Sequence, residues 1–247
     1  MKILYGIQPT GMIHLGNYLG GLRKAIELQK NNEVVFLIAQ FHAMTACASK
    51  ELLDSNSLAL EDELYKLGAK EVGSQSSKAT RLAYELMCRT SLSDLFRMTQ
   101  YKDKKNKIKN AGFLVYPCLM AADIIISGAD CVLVGEDQLQ HLELTRQLCR
   151  RMKFKIPETM LSETPRIMSI KDPTKKMSKS LGDEHCIYLD EDCTRKIMKA
   201  PTNSDGIRNL EQIARGLGVE YDAADNKNSK LRLIQEINKI MYGNGNS

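Results

Sequence analysis

Six consecutive residues, Val34 to Ala39 (VVFLIA), carry no charge and no polar side chain. A run that short and that uniformly apolar reads as a strand buried on both faces, the environment of a parallel sheet. Lys2 to Tyr5 forms a similar strand that stops at Gly6, and between the two the stretch Asn17 to Gln29 places Leu19, Leu22, Ile26 and Leu28 at helical spacing. Ser49 then caps a helix running toward Lys66. Cys131 to Val134 reads as a third strand closed by Gly135. Before it lies a helix ending near Ile126, with Pro117 in its first turn, and after it a helix from Gln138 to Met152. Strands alternating with helices predict an α/β fold, a doubly wound (Rossmann-type) parallel sheet.

The remaining segments are less regular. Gly68 to Ser77 reads as a turn-rich break, and Lys78 to Lys109 as two helical stretches separated near Ser91 and Ser93. Beyond Pro157 come a short strand at Arg166 to Ile170, a lysine-bearing loop and an apolar piece at Ile187 to Leu189. Helices follow at Asp192 to Lys199, Asn209 to Leu217 and Lys230 to Tyr242, and the closing GNGNS is expected to fray. The expected organisation is a catalytic domain over 1–185, with a helical insertion at about 68–112, and a small helical lobe over 186–247.

Composition narrows the class. With 247 residues and 43% hydrophobic content the chain can bury one good core. Its net charge of +5 favours anionic partners. Seven cysteines, an odd number with no CxxC, fit a reduced cytoplasmic setting. Cys186 and Cys193 alone are too few ligands for a tetrahedral metal site, so no protein-held metal is expected. The N-terminus has too short an apolar stretch for a signal peptide. No segment approaches the roughly 20 apolar residues of a membrane span, so a soluble protein with no membrane partner is expected.

Two short stretches carry chemistry. In GIQPTGMIHLGNYLG (Gly6 to Gly20), Pro9, Gly11 and Gly16 allow a tight turn, and His14 and Asn17 sit where a helix begins. Unpaired N–H groups at such a helix start attract phosphate. No GxxxxGK[ST] or GxGxxG cradle is present here, and a plain βα turn with a surface histidine reads the same residues equally well. In KMSKS (Lys176 to Ser180) two lysines on a flexible loop could meet negative charge building on a departing pyrophosphate. The other reading is a solvated basic loop continuous with Lys171 and Lys175.

Taken together, these stretches resemble the paired signatures of the class I aminoacyl-tRNA synthetases, with His14, Leu15, Gly16 and Asn17 standing for the first and KMSKS literal. The longer strings GIQPTGMIHLGNYLGG, RMTQYK (Arg97 to Lys102), YPCLMAAD (Tyr116 to Asp123), VGEDQLQHLELTR (Val134 to Arg146) and DPTKKMSKS (Asp172 to Ser180) are similar to the tryptophanyl-tRNA synthetase family. That resemblance implies two steps, formation of tryptophanyl-adenylate from tryptophan and ATP, then transfer to tRNA(Trp). It also implies Mg²⁺ bound with the ATP and a symmetric homodimer.

Carried over by position, the resemblance implies that Lys176, Lys179, His14 and Asn17 are catalytic. Gln8, Thr10, Gly16, Met177 and Ser178 would contact ATP, and Gly135 and Asp137 its ribose. Lys104 matches a phosphate-contacting lysine, with Lys102 and Lys105 as alternatives. Tyr116 and Gln138 would take the amino acid's ammonium group. Asp123 would accept the indole N–H in a pocket formed with Met120, Ile124, Val132, Val134 and His42, rejecting phenylalanine by leaving the carboxylate unpaired. Without the resemblance, Asp123 reads equally as a helix-face cap and the apolar residues as ordinary core.

Family members normally continue further, with helices that read the anticodon. Hence a charging enzyme with a shortened C-terminus is expected, with three alternatives: a regulatory paralogue that adenylates without efficient charging, a tyrosine-specific sister, and a small-molecule nucleotidyltransferase. YPCLMAAD and the full KMSKS speak against the last.

Overall fold

The computed structural model describes residues 1–46, 49–104, 110–162 and 166–242. Cys47, Lys105 and the closing GNGNS lie outside these residues, as does the side chain of Lys104. The chain divides into two compact units. The first comprises Met1–Gly11, Glu27–Tyr65 and Ala69–Ser162, and the second Met12–Ile26, Lys66–Gly68 and Glu163–Ser247.

The first unit is built on five parallel strands, β1 (Lys2–Ile7), β2 (Glu33–Ile38), β3 (Val72–Ser74), β4 (Cys131–Val134) and β5 (Glu158–Leu161), in the order β3-β2-β1-β4-β5. β1 is the centre: Ile3 pairs with Val34 of β2 on one side and with Cys131 of β4 on the other. The strand order reverses there, so the carboxyl ends of β1 and β4 form the switch point at which such sheets bind ligands. The doubly wound sheet expected from the apolar runs is present. Two of its strands have no such run. β3 (VGS) and β5 (ETML) are half-exposed edge strands, and pairing to a formed neighbour holds them in place. The break expected at Gly68 to Ser77 therefore contains a strand.

The helix before β4 also differs from expectation. It runs over Ala111–Ser127, so Pro117 lies in its interior, where it lacks the N–H that would bond the carbonyl of Phe113. The start is set by Asn110, whose side chain accepts the Phe113 N–H at 2.8 Å while its own amide donates to the Thr45 carbonyl at 2.9 Å. Gly128, at φ 66°, ends the helix in the left-handed conformation. Ala121 and Ala122 leave room for the Ser77–Met87 helix, and Leu82, Leu86, Leu144 and Leu148 complete that buried cluster. The predicted pair of helical stretches after Lys78 is three among the described residues: Ser77–Met87, Leu92–Arg97 and Thr99–Lys104.

In the second unit the helix expected over Asn17 to Gln29 is broken. A single α-turn, Leu15–Asn17, passes into a π-turn, Tyr18–Leu22, before Arg23–Leu28 resumes regular winding. Helices follow at Thr194–Lys199, Ser204–Leu217 and Asn226–Tyr242. The second begins before its apolar pattern because Asn203 caps it by accepting the Gly206 N–H at 2.9 Å. Arg166 to Ile170 is no strand. Met168 bridges singly to Lys176, and the Asn209 amide takes over the pairing, accepting from the Met168 N–H at 2.9 Å and donating to its carbonyl at 3.0 Å. No helix among the described residues is long and apolar enough to cross a membrane.

Replacing Asn110 with alanine removes the cap and should cost about 1 kcal/mol. For a chain of this size that is a drop in Tm of roughly 2–4 °C, read by calorimetry. An unchanged Tm would mean that Asn110 does not set the helix start.

Candidate active site

In the second unit the two sequence signatures adjoin. His14 caps the Leu15–Asn17 turn: its Nδ1 accepts the Asn17 N–H at 3.2 Å, and the Asn17 Oδ1 reaches back to the His14 N–H at 3.4 Å. Because Nδ1 is an acceptor, the ring proton sits on Nε2. His14 is only 6% exposed, and burial, reinforced by the charges of Lys179 and Lys176, lowers its pKa to about 4. The imidazole is therefore a neutral N–H donor at physiological pH.

KMSKS is pinned at its centre rather than loose. The Met177 side chain is buried, its N–H donates to the Ile167 carbonyl at 3.1 Å, and Lys179–Leu181 forms one 3-10 turn. The Met177 sulfur and the His14 ring close over Gly16: a Cβ there would lie 3.1 Å from the imidazole and 3.4 Å from that sulfur. Glycine 16 is thus the space in which histidine and the lysine segment meet. The Ser178 and Ser180 hydroxyls bond each other at 2.9 Å. Two backbone amides of the helix start are engaged within the protein, the Leu15 N–H with the Ile187 carbonyl at 2.7 Å and the Asn17 N–H with His14. Lys176 and Lys179 add positive charge near His14.

The first unit holds a buried carboxylate. Asp123 is 6% exposed, and its Oδ2 accepts from the Gln75 Nε2 at 2.6 Å and the His42 Nε2 at 3.1 Å. Gln75 is held in turn by accepting the Phe41 N–H at 2.7 Å. The other oxygen, Oδ1, is buried with no partner among the described residues. Leaving such an acceptor unpaired costs about 1–3 kcal/mol or more. Ile124, Val132 and Val134 are core residues packed with Leu4 and Leu142, and Met120 lies half-buried against them.

Beside it, Tyr116 and Gln138 belong to one hydrogen-bonded ring with Gln100, Asp137 and His141. Burial, with the charge of Asp137, pushes the Tyr116 pKa well up, so it keeps its proton. Gly135 caps β4, and a Cβ on it would lie 2.9 Å from the Asp137 Oδ1. Gln8 and Thr10 lie exposed just beyond β1, where the Thr10 N–H bonds the Gln8 carbonyl at 2.9 Å. Of these residues, sequence reasoning missed Gln75, Gln100 and His141. Gln100 and His141 stand inside quoted strings, whereas Gln75 is marked only by following a strand too short to be seen.

The chain matches the family model described as tRNA synthetases class I (W and Y) over residues 1–244. It is 39% identical over 236 residues to a tryptophan--tRNA ligase of Helicobacter pylori, covering 87% of this chain and 72% of that protein. The fold is similar to the crystal structure of tryptophanyl-tRNA synthetase from Mycoplasma pneumoniae (TM-score 0.83, 31% identity, 98% of this chain and 87% of that one). It is also similar to the Campylobacter jejuni enzyme complexed with ADP and tryptophan (TM-score 0.81, 26% identity, 99% and 87%).

The electrostatics of His14 are testable. Its ring resonances should titrate near pH 4, and substituting Lys176 and Lys179 with glutamine should raise the midpoint by removing two repelling charges. The same shift makes stability pH-dependent. His14 is protonated near pH 6.5 when unfolded but near 4 when folded, so its contribution is present above about 6.5 and lost as pH falls toward 4. A midpoint unmoved in the double variant would mean that the lysines do not act on this imidazole.

Proposed function

Since this chain belongs to the class I tRNA synthetases of the tryptophan and tyrosine group, we propose that it activates tryptophan with ATP and transfers the product to tRNA(Trp). The observation that carries the substrate choice is the Asp123 Oδ1, a buried acceptor with no partner among the described residues. An indole N–H completes it, whereas phenylalanine excludes water and leaves it bare. A phenolic O–H could also serve, and the tryptophan-specific relatives favour indole over that alternative.

In the first step the tryptophan carboxylate attacks the α-phosphorus, the bond to the bridging oxygen breaks, and pyrophosphate leaves. The nucleophile is already an anion, so the step needs positioning and charge stabilisation and no strong base. We assign Lys176 and Lys179 to the charge that grows on the departing phosphates. The neutral His14 Nε2–H and the Asn17 amide are donors beside them. By the family resemblance we assign Gln8, Thr10, Met177 and Ser178 to contacts with ATP, and Gly135 and Asp137 to its ribose. Tyr116 and Gln138 accept from the substrate ammonium. In the second step a terminal ribose hydroxyl of the tRNA attacks the activated carbonyl and AMP departs.

We propose that magnesium arrives on the triphosphate, as part of the substrate. We further propose a homodimer working in the cytoplasm. Exposed apolar side chains on the first unit, Tyr84, Leu92 and Phe96, support a partnered face, and sedimentation would measure it.

Pyrophosphate exchange with tryptophan, tyrosine and phenylalanine, followed by charging of tRNA transcripts, tests the whole reading. Exchange without charging would leave an adenylating paralogue, and preference for tyrosine would make it the sister enzyme. Asp123→Ala should collapse the tryptophan-to-phenylalanine ratio. Gln75→Met should lower that ratio less, because it loosens the carboxylate without removing it. An unchanged ratio in Asp123→Ala refutes the assigned role. Lys179→Ala should lower kcat by about 100-fold or more with little change in the KM for ATP.

A further inference from the structure

The ring of side chains around Tyr116 closes on itself, and its polarity can be read one bond at a time. Asp137 is the starting point because a carboxylate only accepts. Its Oδ2 receives the Gln138 Nε2 at 2.8 Å and the Gln100 Nε2 at 3.0 Å. Both amides are thereby oriented, and their oxygens face the other way. The Gln100 oxygen lies 2.7 Å from the Tyr116 hydroxyl, so the tyrosine must donate to it. The Gln138 oxygen lies 2.9 Å from the His141 Nδ1, so that nitrogen must carry a proton. The last link, Tyr116 hydroxyl to His141 Nε2 at 2.9 Å, has its tyrosine proton already committed, so Nε2 must donate as well.

We propose that His141 is a doubly protonated, buried imidazolium whose charge is balanced around the ring by Asp137. We further propose that it is the positioning residue that gives the amino-acid ammonium subsite its polarity. His141 is 1% exposed, and a lone cation there would be costly. The ring resolves this by linking the imidazolium through two amides and a phenol to a carboxylate. A neutral imidazole would force one glutamine to turn its oxygen onto the Asp137 carboxylate, or set two lone pairs against each other at 2.7 Å or 2.9 Å. Titratable groups among the described residues that touch the ring include Asp137, Tyr116 and His42, whose ring stands edge-on to Tyr116 at 5.8 Å.

The consequence is directional. With both imidazole protons, the phenol proton and one proton of each amide spent inside the ring, the Tyr116, Gln138 and Gln100 oxygens keep spare lone pairs. Those three oxygens remain acceptors, which suits a ligand group rich in donors such as an ammonium. This part rests on the proposed function above, whereas the charge state of His141 does not.

Two measurements test the proposal. Nitrogen-15 NMR of histidine-labelled protein at neutral pH should show protons on both ring nitrogens of His141, and Tyr116→Phe, which removes the acceptor for Nε2, should leave one. The chain contains no tryptophan, so the fluorescence of added tryptophan reports its binding directly, with indole-3-propionate, which lacks the ammonium, as competitor. In His141→Gln the Kd for tryptophan should rise by about 10–100-fold while that for indole-3-propionate and the KM for ATP stay nearly constant. A single ring proton in the wild type, or equal weakening of both ligands in the variant, overturns the proposal. If His141→Gln fails to fold, the wild-type spectrum still decides the charge state. If the wild type binds no tryptophan, the functional reading fails and the spectrum stands by itself.

Discussion

The hydrogen bonds on the two sides of β1 are the constraint on which the first unit depends. Once Lys2–Ile7 pairs with β2 on one side and β4 on the other, the sheet must reverse direction there, and the strand ends must share one edge. Gln8 follows β1, His42 lies shortly after β2, Gln75 follows β3, and Gly135 to Gln138 follow β4. Residues far apart in sequence arrive near a common rim because parallel strands end in the same direction. Asp123 reaches this group from the helix before β4, held by donors that follow β2 and β3.

A second rule governs the chemistry: buried polar atoms are nearly always paired, so an exception calls for an explanation. His14 and Asn17 satisfy each other, and this fixes the histidine proton on Nε2. Asp123 is satisfied on one oxygen and left open on the other. The ring from Asp137 to His141 is closed, and only a charged histidine closes it consistently. In each case the protein uses up most of the capacity of a group and so dictates what remains for a ligand.

Much of this was legible beforehand, but unevenly. The uninterrupted apolar strands were visible because both their faces are buried, and Val34 to Ala39 needed no context. The edge strands were not, since Val72–Ser74 and Glu158–Leu161 have neither apolar continuity nor alternation and exist because a formed neighbour pairs with them. Pro117 misled because a proline is commonest in a first turn, whereas here tertiary packing of Cys118, Ala121 and Ala122 outweighs the lost backbone bond. His14, Asp123 and the KMSKS lysines were singled out through their motifs. Gln75 has no motif, and its role comes from the position of a strand that the sequence does not announce.

By itself, then, the sequence determined the strand–helix alternation, the reversal-prone parallel sheet and the presence of two signature stretches, because hydrophobic period and residue chemistry are local properties. Only the tertiary structure decided which oxygen of Asp123 stays open, which nitrogen of His14 holds the proton, and that His141 must carry two. Those outcomes depend on partners supplied from distant segments. A hydrogen-bonding group declares its donor or acceptor role only when the group opposite it is known.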